Sequence, residues 1–154
     1  MDFGSLVTSN NALPGYKALK TVTVKGAGNA GDQPVSAIIT LTPNVTGFNN
    51  HVKYSLYKVK TKDISTKGVT CTESKPVAGN KAYDEMTCDT SRAGSAIASG
   101  TFNGTTPVTT KVNVAYNDDD TYYLVVEYEN ELNADQNSEQ GKAFSVAINF
   151  TAEA

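Results

Sequence analysis

Tryptophan is absent from this 154-residue chain, histidine occurs once and cysteine twice. A catalytic or structural zinc site needs several imidazoles or thiolates, and no His-Glu-x-x-His motif is present. No Gly-x-Ser-x-Gly elbow surrounds a serine, and no phosphate-binding Gly-x-x-x-x-Gly-Lys-Ser/Thr loop occurs. The Gly26, Gly28 and Gly31 loop has neither that spacing nor a helix after it. The sequence therefore predicts a protein that is not an enzyme and carries no cofactor. An excess of basic charge is missing too. The formal net charge of −3 argues against nucleic acid as the main partner, because phosphate binding needs a basic surface. No apolar run approaches the roughly 18 residues of a membrane helix. Leucine is sparse, and no stretch follows the 3.6-residue period of an amphipathic helix.

What is abundant points the other way. Thr, Val and Ile together make up 39 residues, and Tyr adds 8. Branched and aromatic side chains fit a pleated surface and lose rotamer freedom in a helix. Val22 and Val24 share one face of a first strand. Val35, Ala37, Ile39 and Leu41 mark a second, which Pro43 should stop. Val52, Tyr54 and Leu56 alternate with Lys53, Ser55 and Tyr57 in a third. Strands are also expected at 95–103 and 108–116. After the turn Asn117-Asp118-Asp119-Asp120, Tyr122, Leu124, Val126 and Tyr128 resume the alternation, which reads as a hairpin. Phe144, Val146, Ile148 and Phe150 form the clearest strand of all. The spacing predicts an all-β fold, a two-sheet antiparallel sandwich of jelly-roll type. Its domain covers 13–154, and residues 1–12 precede it as an extended segment.

The stretch 61–95 holds both cysteines, many lysines and few apolar groups, and is read as a long excursion with a short strand near 84–88. Two cysteines, Cys71 and Cys88, suit a disulfide in an exported protein; two unpaired thiols are the other reading. Closing that loop would contribute about 3 kcal/mol. Met1-Asp2-Phe3 does not open a signal peptide.

Charge is uneven along the chain. Residues 1–111 hold 12 basic and 7 acidic side chains, while 112–141 hold 8 acidic and none basic. The acidic stretch reads as a solvated rim, as a face that meets the basic part of a second copy, or as a weak calcium site at Asp118, Asp119 and Asp120. That triplet lacks the spaced ligands and glycine of a calcium loop. His51 follows Asn49-Asn50 and is expected to be an exposed loop residue. Glu127, Glu129 and Glu131 alternate along one strand as an outward face. Asn44, Asn103 and Asn149 each begin an Asn-x-Thr sequence that matches the N-glycosylation pattern, although Asn149 falls in an expected strand.

Both ends of the chain carry a further pattern. The segment Asn11-Ala12-Leu13-Pro14-Gly15-Tyr16-Lys17-Ala18-Leu19-Lys20-Thr21-Val22-Thr23-Val24 resembles the Leu-x-Pro-Gly stretch and first strand of the TasA/camelysin family. A Gly/Asn loop and the strand Ala37-Ile38-Ile39-Thr40-Leu41 follow in the same order. Near the other end, Asn137-Ser138-Glu139-Gln140-Gly141-Lys142-Ala143-Phe144-Ser145-Val146-Ala147-Ile148-Asn149-Phe150-Thr151-Ala152 is similar to that family's Gln-Gly-x-Ser turn and final strand. The resemblance implies a secreted bacterial protein of the biofilm matrix or cell surface, with a jelly-roll fold. It implies fibres in which an N-terminal segment of one subunit completes a sheet of the next. The corresponding donor segment here is Asp2-Phe3-Gly4-Ser5-Leu6-Val7-Thr8, with Phe3, Leu6 and Val7 as its apolar groups. The partners it implies are further copies of the chain and other matrix components. The residues alone also allow a monomeric sandwich that binds a carbohydrate or protein through the 61–95 excursion.

Overall fold

A computed structural model describes residues 2–7, 15–26, 35–74, 85–114, 119–129, 136, 139 and 143–152. Among the described residues ten strands account for nearly all regular structure: β1 (Asp2–Val7), β2 (Lys17–Val24), β3 (Val35–Asn44), β4 (Val52–Lys60), β5 (Thr70–Ser74), β6 (Glu85–Asp89), β7 (Ala98–Thr101), β8 (Val108–Val114), β9 (Asp120–Tyr128) and β10 (Ser145–Ala152). A 3-10 turn at Thr61–Asp63 and the four-residue helix α1 (Ile64–Lys67) follow β4.

Sheet A has the order β1-β10-β3-β8 and sheet B the order β2-β9-β4-β7. Every pairing within them is antiparallel. With the β5–β6 pair set aside, the strand orders are 1-8-3-6 and 2-7-4-5, the arrangement of a jelly roll. The chain changes sheet at each step except between β4 and β7, which pair directly. The excursion is inserted at that point.

The alternation of the strands explains the packing. Val22, Ala37, Ile39, Leu41, Leu56, Val112, Leu124, Val126, Val146 and Ile148 all enter one core between the sheets. Period-2 side chains from two facing sheets interdigitate in this way. Phe48 anchors one end of that core, with edge-on contacts to Tyr128 at 5.0 Å and Phe144 at 5.4 Å between ring centroids.

The outer face of sheet B is covered as well. Tyr123 and Val125 of β9, with Val59 of β4, meet Val69 in a second cluster, and Cys71, Cys88 and Ala93 pack against it. The described parts of the excursion, 61–74 and 85–95, thus lie down on the sandwich as a third layer, and residues 75–84 fall outside the described residues. Its β5 and β6 pair in a register that sets Cys71 opposite Cys88, and the two are disulfide-bonded. Each residue from Asp120 to Val126 is buried, because β9 has a layer on both of its faces.

Two expectations are corrected. β8 and β9 do not form a hairpin: β8 pairs with β3 in sheet A, and β9 with β2 and β4 in sheet B. Both strands have one apolar face, and strands that face each other across a core need the same alternation as strands side by side. Nor does Pro43 stop β3, which continues to Asn44 with Pro43 opposite Val146. The β3–β8 register ends at Leu41 and Val108, so β3 is paired on one side only at Pro43. A residue without an N–H is tolerated there.

Candidate functional site

β1 is an edge strand of sheet A and, among the described residues, pairs with β10 alone. Leu6 sits opposite Val146, is 6% exposed and belongs to the main core. Phe3 is half-buried and makes an edge-on contact with Phe150 at 6.3 Å. The register slips between Asp2 and Ser5, where Gly4 takes a φ of 80°. A bulge of this kind calls for glycine, since other L-residues are strained there. Val7 stands opposite Ser145 at the inner end of the strand. The three expected donor residues therefore belong to one strand, which within a single chain fills the edge of its own sheet A. Residues 8–14 lie outside the described residues.

A second assembly was not legible beforehand. His51 is buried, at 9% exposure, and does not protrude from a loop as expected. Its Nδ1 lies 2.8 Å from Oε1 and 2.9 Å from Oε2 of Glu139, which is fully buried. A carboxylate can only accept, so Nδ1 carries the proton and donates. Asn49 Nδ2 donates to Oε2 at 2.8 Å and the Tyr128 hydroxyl to Oε1 at 3.0 Å.

Local backbone explains the convergence. Gly47, Asn49 and Asn50 all have positive φ, which glycine and asparagine tolerate best. These residues turn the chain tightly after β3, and His51 N donates to Phe48 O at 3.0 Å. Glu129 N donates to His51 O at 2.7 Å, tying the turn to the end of β9. From the other side Gln136 Nε2 donates to Glu129 O at 2.8 Å, and Glu139 N donates to Gln136 O at 3.0 Å. Burial raises the pKa of Glu139, but the hydrogen bonds from Asn49, His51 and Tyr128 outweigh it and hold the carboxyl below its ordinary value. Burial, reinforced by the neighbouring carboxylate, pushes the Tyr128 hydroxyl well above its ordinary value. Chemically this is an ionised carboxylate locked by three donors, a device for joining loops. Its only signals in the sequence were a lone histidine and the Asn49-Asn50 pair. Nothing in the local pattern marked Glu139 among so many acidic neighbours.

The other acidic candidates are dispersed. Asp120 is 2% exposed and lies 3.6 Å from Lys58 Nζ. Asp119 Oδ1 accepts from Gly26 N at 3.3 Å, and Asp118 falls outside the described residues. Glu129 forms an ion pair with Lys53, Glu127 is half-exposed, and Glu131 is outside the described residues. Among the described residues no group of three or more His, Cys, Asp or Glu side chains is placed to hold a metal ion. Asn44 and Asn103 are exposed, and Asn149 is an exposed position within β10.

No protein-family model matches this chain, and no curated protein matches its sequence. Among solved structures, it is similar to CorA, a surface-associated copper-binding protein important in copper acquisition by Methylomicrobium album BG8. That likeness covers 97% of this chain and 94% of CorA, with 11% identity and a TM-score of 0.37. Among the described residues no helix is long and apolar enough to cross a membrane. The Cys71–Cys88 disulfide suits an exported chain, since such bonds persist in oxidising compartments.

Proposed function

We propose that this protein is a secreted structural subunit of extracellular biofilm matrix fibres, which assemble by exchange of β1 between copies. The observation that carries the reading is the place of Leu6. It is a core residue held on an edge strand, the first of the chain's described strands, that pairs with one neighbour among the described residues. A strand of that kind can leave its own β10 and take the same register on another copy's β10. Each interaction given up within one chain is then remade between two, as in any exchange of an element between protomers. Main-chain hydrogen bonds supply the affinity, and Leu6 and Phe3 set the register. Nine residues separate Val7 from Lys17. Extended, they reach about 30 Å, which bounds how far apart two exchanging copies can stand. The resemblance of both chain ends to the TasA/camelysin family supports the same reading.

The test is assembly over a concentration series, followed by light scattering and negative-stain microscopy after mild heating to open β1. Filaments are expected, and they should be lost on deleting residues 1–7 or on Leu6→Asp. A synthetic peptide of residues 2–8 should cap growth. A chain that stays monomeric at every concentration, before and after heating, would overturn the proposal.

A further inference from the structure

Asn103 opens the turn that follows β7, and Asn103-Gly104 is the one Asn-Gly pair in the sequence. Thr106 N donates to Asn103 O at 2.9 Å, and Gly104 takes a φ of 55°. The Asn103 side chain is exposed and makes no hydrogen bond among the described residues. Nor does the Gly104 N–H, although the Gly104 carbonyl accepts from Val45 N at 2.9 Å. A Cβ built at Gly104 would meet nothing within 4 Å, so the space around that backbone is open. An asparagine amide is attacked by the backbone nitrogen that follows it when the amide is unheld and the nitrogen is uncrowded. Glycine, with no side chain, supplies the least crowded nitrogen and the freest rotation.

The other described asparagines lack this combination. Asn44 and Asn113 are followed by Val45 and Val114, whose branched side chains crowd the nitrogen. Asn149 sits within the β10 ladder, opposite Thr40. The Asn49 amide donates to Glu139. Asn50 is followed by the buried His51, whose N–H donates to Phe48 O at 3.0 Å.

We propose that Asn103 is a site of spontaneous deamidation, where Gly104 N closes on the side-chain amide and the residue is converted to isoaspartate and aspartate. Gly104 N gives its proton to solvent base and bonds to Asn103 Cγ. The Cγ–Nδ2 bond breaks, ammonia leaves and a cyclic succinimide remains. Water then cleaves one of the two bonds from Asn103 to Gly104 N. Cleavage at the main-chain carbonyl gives isoaspartate, whose backbone runs through Cβ and Cγ, and cleavage at Cγ gives aspartate. No electron is transferred and only water is consumed. The turn's own bond, from Thr106 N to Asn103 O, must open for the peptide to rotate, and both residues are exposed.

Both products add a negative charge, and isoaspartate also lengthens the backbone by a methylene. On one side Phe102 is fully buried, its N donates to Val52 O at 2.9 Å and its ring stacks on Tyr54 at 4.5 Å. The extra length is therefore taken up on the Gly104 side, where the bond from Val45 N ties this turn to the end of β3. The reaction needs no second copy, so its failure and the failure of strand exchange are separable.

The experiment incubates the full chain warm, in mildly alkaline and in mildly acidic buffer, and weighs its tryptic peptides over time. Residues 93–111 form one such peptide, between Arg92 and Lys111, and Asn103 is its sole side-chain amide. Its mass should rise by about 1 Da, faster in the alkaline buffer, with fragmentation that places isoaspartate at position 103. The Val45 amide should exchange with solvent faster in the converted protein. Asn103→Gln, which would have to close a larger ring, should keep its mass through the same incubation, and circular dichroism checks that its fold is kept. A peptide of unchanged mass, conversion of another described asparagine before Asn103, or a rate that does not rise with pH would each overturn the proposal. Unchanged Val45 exchange would overturn the assigned consequence for the turn.

Discussion

The imidazole of His51 and the carboxylate of Glu139, 88 positions apart in the chain, meet at 2.8 Å beneath the turn that follows β3. That contact joins the β3–β4 turn, the end of β9 and the segment leading into β10. Replacing Glu139 with Gln puts an amide donor against donors from His51, Asn49 and Tyr128. Leaving buried donors unsatisfied should cost about 2 kcal/mol at pH 7, read from urea denaturation. An unchanged midpoint would mean that the network contributes nothing.

The same carboxylate sets a direction for pH. Its folded pKa lies below the ordinary value of 4.5, so its contribution is fully present above about that pH. It is lost as pH falls through the depressed folded value. The denaturation midpoint should therefore drop more steeply as pH falls below about 4.5 in the natural sequence than in Glu139→Gln. Parallel curves would refute this.

Gly68 is required by space and not by its backbone angle, which at φ −71° suits any residue. A Cβ there would stand 2.5 Å from Ile64 O and 2.8 Å from the Tyr123 hydroxyl. Gly68→Ala should destabilise by about 2 kcal/mol, in the range of overpacked cores. Tyr123→Phe in the same chain should recover part of that loss, since it removes one of the two obstacles. No recovery would place the whole cost on the backbone contact.

The disulfide holds the third layer. With Cys71 and Cys88 both changed to Ser, stability should fall by about 3 kcal/mol in the chain-entropy account. The tyrosine signal in near-ultraviolet circular dichroism should change as well, because Tyr57 and Tyr123 lie in the cluster beneath. The main core does not include either cysteine, so far-ultraviolet strand content should persist. Collapse of the strand signal would show that the sandwich depends on its cover.

Amide exchange should rank the strands. β9 has neighbours on both edges and layers on both faces, whereas β1 has one neighbour. β1 amides are expected to exchange first and those of Tyr122–Val126 last. The reverse order would remove the basis for strand exchange.

The strands facing the main core were legible because alternation at Val35–Leu41, Tyr122–Tyr128 and Phe144–Phe150 records a face, and two-sheet packing follows from it. Neighbours were not legible, since period 2 does not say whether the next apolar face lies beside a strand or across the core from it. This is why β8 and β9 read as a hairpin. The unbroken run Tyr122-Tyr123-Leu124-Val125-Val126 held a clue that reading by alternation discarded. A strand apolar on both sides is a strand covered on both sides. The cover itself, 61–95, is poor in apolar residues, and among the described residues Val69, the disulfide and Ala93 carry its apolar contact. Glu139 stayed hidden because its partners come from distant segments.

Asp2 stands opposite Asn149 and Val7 opposite Ser145, so the backbone at Asp2 and at Ala152 leaves sheet A from the same end. A pull between those two points loads one end of the β1–β10 ladder, and its bonds yield in turn, as in a zipper. In the proposed exchange, a strand passed to a second copy would be drawn instead from its Val7 end, while the receiving β10 is held along its length by β3. The force would then act along the strand axis and be shared by the whole ladder. The pairing that peels open within one chain would resist tension between two.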